Sequence, residues 1–221
     1  MLFDRDLLKQ NRARVLKSGV KNHFLVDEIR SRIAENIELL NRKFENILEI
    51  NEENFDYCES SFDLVFSVLD FHYVNEIPQY LIKVKNILKP GGIFIASFFG
   101  EENLSELAHV LHVTENEIYN GVSPRMPPTI DVKTAAALLQ KAGFQNPISD
   151  FDRIEVEYSD PLNLLKDIKS MAQGNIMNQR SRRFFTKKFL EKISQNYLKL
   201  YQNSEGKVPA NFEIVTICGA K

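Results

Sequence analysis

Glu106, His109 and His112 recur every three residues in a segment that reads as a helix, so they fall along one stripe. A Glu-x-x-His pair is half of the ligand set of a carboxylate-bridged di-iron site, which takes such a pair from each of two helices. No second Glu-x-x-His occurs in the chain. The stripe therefore reads as exposed polar surface, and no metal site is expected. Arg125 lies in a proline-flanked loop, where its planar fork suits a substrate carboxylate or phosphate. A structural salt bridge is an equal alternative. Arg180, Arg182, Arg183, Lys187 and Lys188 form a basic cluster, read as a solvated entry to a helix or as a docking point for an acidic carrier or partner protein. No catalytic base stands out.

The rest of the composition narrows the function classes. With 28 basic and 30 acidic residues among 221, the chain has no electrostatic footprint for nucleic acid or an anionic membrane. No apolar run approaches the roughly 18 residues of a transmembrane span. Asp4 and Asp6 sit among the basic residues of the first turns, which argues for a structural helix rather than a transit peptide. Cys58 and Cys218 stand apart, as isolated thiols do in a reducing compartment, and a cytoplasmic location is expected.

The elements that must position these residues follow from hydrophobic spacing. Leu2 to Leu16 and Val20 to Leu40 read as helices, the second with Leu25, Ile29, Ile33 and Ile37 on one face. Ile47 to Ile50 and Phe62 to Leu69 are apolar runs without alternation, as in strands buried on both faces of a parallel sheet. A helix from Pro78 to Leu88, a stop at Pro90-Gly91-Gly92 and a strand from Ile93 to Phe99 complete a βαβ unit. Further helices are expected over 101–112, 131–139, 161–171 and 184–201, the last with Phe185, Phe189, Ile193, Tyr197 and Leu200 on one face. Strands are expected over 151–158 and 212–218. The chain reads as a single domain, 1–221, with N-terminal helices to 43, a sheet core over 44–160, a helical insertion over 161–203 and a final strand over 204–221.

Two stretches, "SSFDLVFSVLDFHYVNEIP" and "NILKPGGIFIASFFG", resemble the post-cofactor half of class I S-adenosylmethionine-dependent methyltransferases. Within that superfamily, "FDRDLLKQNRAR", "GEENLSEL", "SPRMPPTIDVKTAAALLQKAGF" and "EGKVPANFEIVTICG" resemble two groups. One is the malonyl-carrier-protein methyltransferases. The closer is the bacterial relatives of the mitochondrial complex I assembly factor that hydroxylates an arginine. The resemblance implies an α/β fold with a Rossmann-like, doubly wound, mostly parallel sheet, and S-adenosylmethionine across the carboxyl ends of the first strands. It implies a protein side chain or a carrier-bound acid as substrate. It places Asn51, Glu52, Ser67, Leu69 and His72 beside the cofactor, and Tyr73 and Arg125 beside the substrate. The alternatives are core packing for Leu69 and Tyr73, backbone hydrogen bonding for His72, and a solvated acidic loop for Glu52 and Glu53.

One part of the family pattern is missing. The glycine-rich turn that approaches the cofactor's amino-acid end needs residues without a Cβ. No Gly-x-Gly occurs in the chain, and Ile50 is followed by Asn51-Glu52-Glu53-Asn54. Asn51, Glu53, Phe55 and Tyr57 match instead the first, third, fifth and seventh positions of the family's later "D-x-E-x-L-P-F". The chain passes from the end of strand one to the end of strand three, so the sheet is expected to lack strand two and most of strand three. The exposed part of the sheet is then expected to be covered by the N-terminal helices, a second copy or a partner protein. A pseudoenzyme that binds rather than catalyses, or an arginine hydroxylase of the assembly-factor type, are the alternatives to a methyltransferase with an incomplete cofactor site.

Overall fold

The computed structural model describes residues 1–19, 23–51 and 55–221. Asp4 sets the first helix, α1 (Arg5–Lys17), because its Oδ1 accepts the Leu7 N–H at 2.9 Å. Helix α2 (Phe24–Leu39) buries Leu25, Ile29 and Ile33, which recur every four residues. Val20, its expected start, lies outside the described residues. Strands β1 (Ile47–Glu49) and β2 (Phe62–Val68) follow, then helix α3 (Ile77–Ile87) with Pro78 in its first turn. After β3 (Leu88–Phe99) come α4 (Ser105–Tyr119), α5 (Val132–Lys141), β4 (Gln145–Tyr158), α6 (Pro161–Ser170), α7 (Lys187–Tyr201) and β5 (Val208–Ala220).

The strands form one five-stranded sheet in the order β1-β2-β3-β5-β4. β1 pairs with β2, and β2 with β3, in parallel; β5 runs antiparallel to β3. The fold is therefore α/β with a mixed sheet, and "ILEI" and "FDLVFS" are adjacent parallel strands.

The Lys-Pro-Gly-Gly segment departs from expectation. It does not separate α3 from a strand starting at Ile93; β3 begins at Leu88 and runs through it. Phe62 pairs with Leu88 and Leu64 with Ile93, so two steps on β2 oppose five on β3 and residues 89–92 bulge. Gly91 has φ +72°, and a Cβ on Gly92 would lie 2.9 Å from the Lys89 carbonyl oxygen and 3.1 Å from that of Phe62. Glycine is thus required by the bulge rather than by a helix stop.

The chain divides into two compact units. The sheet unit holds Phe24–Glu101, Thr129–Asp152 and Ile214–Lys221. On one face of its sheet, Val65, Phe94, Ala96 and Phe98 pack with Leu81 and Val84 of α3 and Leu139 of α5. Helix α2 contributes nothing to that cluster and lies against the same strands β2 and β3. An N-terminal helix therefore covers the second face. At the sheet edge, Arg30 of α2 forms two hydrogen bonds to the Glu49 carboxylate of β1, at 2.5 and 2.7 Å.

The helical unit holds Met1–His23, Glu102–Pro128 and Arg153–Glu213. Its centre is α7 against α4 and α6. Thr186 caps α7 by accepting the Phe189 N–H at 3.2 Å, so the helix starts three residues later than the apolar spacing predicts. The buried stripe is Phe189, Ile193 and Tyr197; Phe185 precedes the helix, and both it and Leu200 are exposed. The chain start is tied down by the Asp4 N–H, which donates to the Ile176 carbonyl at 2.8 Å.

Candidate functional site

In an open α/β sheet the ligand crevice lies outside the carboxyl ends of the parallel strands. In the sheet unit those ends are residues 50–51 after β1, 69–73 after β2 and 100 after β3. The Ile50 N–H donates to the Phe66 carbonyl at 2.8 Å, and the Leu69 N–H to the Ser97 carbonyl at 2.8 Å, so the three strand ends are fixed to one another. Asn51, the next residue, is exposed.

Ser67 is fully buried, and among the described residues its Oγ has no hydrogen-bond partner. An unsatisfied buried hydroxyl costs about 1–3 kcal/mol. Strand alternation puts it on the face of Val65. Two residues on, Leu69 is buried with φ +49°, the left-handed region, at a cost of about 1–2 kcal/mol for a side chain with a Cβ. The neighbouring Ser97 Oγ, by contrast, shares a 2.8 Å hydrogen bond with Thr216 Oγ1. A strained backbone and an unsatisfied hydroxyl thus fall within three residues at this strand end, and such features cluster at functional sites.

A short 3-10 turn, Phe71–Tyr73, follows. It opens on Asp70, which is fully buried and whose carbonyl accepts the Tyr73 N–H at 2.9 Å. The His72 ring is buried between Tyr73, with centroids 4.2 Å apart, and Phe99, at 5.2 Å. Ser67, Leu69, His72 and Tyr73 are thus brought together after β2, with Asn51 at the end of the adjoining strand. Glu52 and Glu53 lie outside the described residues. Asp70 was not singled out by sequence, although an acid inside the apolar run "SVLDFHYV" is the signal that marks it.

Arg125 belongs to the helical unit. Its Nε donates to Glu115 Oε1 at 2.8 Å, with both side chains almost wholly buried (5% and 1% exposed). Nη1 donates to the Arg183 carbonyl at 3.2 Å, and the guanidinium lies 4.9 and 5.1 Å from the ring centres of Phe185 and Phe189. Nη2 has no hydrogen-bond partner among the described residues. Glu115 also accepts from the Ser123 N–H and Oγ, at 2.6 and 2.5 Å. Burial alone pushes the Glu115 carboxyl pKa up, but the two Ser123 hydrogen bonds and Arg125 outweigh it and hold it below its ordinary value. Glu115 and Ser123 escape a sequence reading because they face Arg125 only once the loop has folded back onto α4.

The Glu106 stripe is not exposed polar surface throughout. Glu106 is largely buried and accepts hydrogen bonds from the Asn211 side chain and N–H. His109 Nδ1 lies 2.7 Å from Tyr201 Oη, and His112 faces solvent. Among the described residues no group of three or more His, Cys, Asp or Glu is placed to hold a metal ion. Nor is any helix among them long and apolar enough to cross a membrane.

Comparison with known proteins shows the family. The family model described as "Methyltransferase domain" matches residues 10–96. A putative methyltransferase of Rickettsia prowazekii (strain Madrid E) is 31% identical over 159 residues, covering 71% of this chain and 69% of that protein. The chain belongs to the class I methyltransferase superfamily. The mouse protein named "Arginine-hydroxylase NDUFAF5, mitochondrial" is 35% identical over 176 residues, covering 80% of this chain and 51% of that protein. A malonyl-[acyl-carrier protein] O-methyltransferase of Methylovorus sp. (strain MP688) is 26% identical over 168 residues, covering 74% of this chain and 52% of that protein. This methyltransferase-family chain spans about half the length of most of these curated relatives. Among solved structures, a putative methyltransferase from Bacillus halodurans superposes with a TM-score of 0.52 at 11% identity, over 85% of this chain and 97% of that one, which shows the shared fold.

Proposed function

We propose that this methyltransferase-family protein keeps the nucleoside side of an S-adenosylmethionine site and lacks the wall that holds the methionine side. The observation that carries this reading is the strand end after β2, where Ser67 Oγ is buried without a partner beside the left-handed Leu69. Asn51, Ser67, Leu69 and His72 supply the hydrogen-bonding and apolar groups for an adenosine, with Glu52 as the expected carboxylate beside them. For the amino-acid end, no Gly-x-Gly turn exists in the sequence. The residues present therefore fit one end of the cofactor and not the other, and they do not assemble a methyl-transfer step. When bound, the cofactor would supply an electrophilic methyl group.

The substrate class we assign is a protein side chain or a carrier-bound acid, with Tyr73 as its contact in the sheet unit, in a cytoplasmic setting; Arg125, paired with Glu115 inside the helical unit, takes the structural salt-bridge role. The resemblance to a malonyl-[acyl-carrier protein] O-methyltransferase supports the second substrate. The chain acts as one domain over 1–221 that lacks strand two and most of strand three, and a second copy or a partner protein covers the edge at β1. Isothermal titration with S-adenosylmethionine and S-adenosylhomocysteine tests the cofactor proposal. Dissociation constants between about 100 μM and 1 mM are expected, or roughly −5.5 to −4 kcal/mol. No heat at millimolar ligand overturns it in favour of a pseudoenzyme that acts by binding alone. A second reading, hydroxylation of a protein arginine, is favoured by the 35% identity to a protein of that name. It requires a redox-active centre, and stoichiometric iron in the purified protein would support it.

A further inference from the structure

The segment from Arg182 to Lys188 in the helical unit has a surface that the cofactor site does not use. Between Asp167 and Glu191 the sequence contains no acidic residue. The basic residues there do two different jobs. Arg180 faces inward, 3.6 Å from Asp4 and donating to the Met177 carbonyl at 2.8 Å. Arg183 lies 4.3 Å from the ring centre of Tyr119, which anchors the loop. Arg182 and Lys188 are left to solvent, and Lys187, also exposed, has the Glu191 carboxylate 3.8 Å away, one turn along α7. Between them stands Phe184, 88% exposed, beside the half-exposed Phe185.

Two features of this arrangement work against the isolated chain. A large aromatic fully in water gains nothing from burial. Lys187 and Lys188 occupy the first turn of α7, at the positive end of the helix dipole, where acidic residues are favoured. An acidic group set against this turn relieves the charge, and an apolar side chain beside it covers Phe184.

We propose that Arg182, Phe184, Lys187 and Lys188 form a docking surface for an acidic segment of a partner protein that carries an apolar residue. Arg and aromatic residues together are the composition of binding hot spots. The alternative, an anionic membrane, is disfavoured because α7 has already buried its apolar face, through Phe189, Ile193 and Tyr197. A helix that lies on a bilayer needs that face free. Docking at this surface operates whether or not the sheet unit binds S-adenosylmethionine.

The test uses the full chain and a fluorescein-labelled peptide rich in Glu and Asp and carrying leucine, read by fluorescence anisotropy. Binding is expected at low salt and should weaken as salt rises. Arg182→Glu with Lys188→Glu should weaken it at least ~10-fold, and Phe184→Ala about 5-fold. Lys9→Glu with Lys43→Glu, the same charge change at exposed positions elsewhere, should leave it within about twofold. Circular dichroism confirms that the exposed substitutions leave the fold intact. Equal loss in both charge-reversal pairs, no binding of the peptide at about 100 μM protein, or binding only to phosphatidylserine-containing vesicles would each overturn the proposal.

Discussion

Replacing Glu115 by alanine should destabilise the helical unit far more than any surface ion pair would. The substitution leaves the Arg125 guanidinium buried without its counter-charge and removes the acceptor of the Ser123 N–H and Oγ. Both side chains of the pair are at most 5% exposed, so solvent does not screen the loss. Breaking one member of such a pair costs about 3–5 kcal/mol. At about 2–4 °C per kcal/mol for a chain of this length, the melting temperature should fall by roughly 10 °C. Urea unfolding followed by circular dichroism measures the change directly. Replacing both Glu115 and Arg125 by methionine should cost less than half as much, because no charge is left stranded. A loss below about 1 kcal/mol for Glu115→Ala would place the pair with exposed salt bridges and refute the reasoning.

Three further perturbations separate site from scaffold. Ser67→Ala should leave stability unchanged or raise it by up to about 1 kcal/mol, because the hydroxyl it removes is buried without a partner, while weakening adenosine binding in the same titration. Gly92→Ala should cost about 1–3 kcal/mol, since its Cβ would meet two backbone oxygens of the β2–β3 bulge; a thermal melt within about 1 °C of wild type would show that the bulge can shift. Asp63 has its carboxyl pulled down to about 2, first by the Asn46 N–H and then by Lys89. Its folded value lies below the unfolded one of about 3.9, so its contribution is complete above that pH and is lost as pH falls through about 2. Asp63→Asn should therefore lower the melting temperature at pH 7 and make little difference near pH 2.

The fold was largely legible because its signals are local. Apolar runs without alternation at 47–50 and 62–69 became neighbouring parallel strands, and Asp131, an expected cap, accepts the Thr134 N–H at 2.8 Å. What misled was local in another way. Pro90-Gly91-Gly92 has the composition of a stop, but pairing with β2 draws it into a strand as a bulge. The spacing of Phe185 and Phe189 suits one helix face, yet the Thr186 cap starts the helix between them. The site was legible only in part. Ser67, Leu69, His72 and Tyr73 were expected after β2, but nothing in their types shows the left-handed backbone at Leu69 or the unsatisfied Ser67 hydroxyl. Arg180 looked like one more member of a solvated cluster, since its partner Asp4 is far away in sequence. Glu106 looked exposed because Asn211 reaches it only through tertiary packing, whereas His109 is exposed as expected, with Tyr201 beside it.

The central claim is that the methionine half of the cofactor meets no wall. Calorimetric titration of the full chain with adenosine and with S-adenosylmethionine, under identical conditions, tests it most directly. The two dissociation constants should agree within about threefold, a difference below ~0.7 kcal/mol, because only the nucleoside is held. S-adenosylmethionine binding about 30-fold or more tighter than adenosine, roughly 2 kcal/mol, would contradict the account and show that the chain builds the missing wall from other residues.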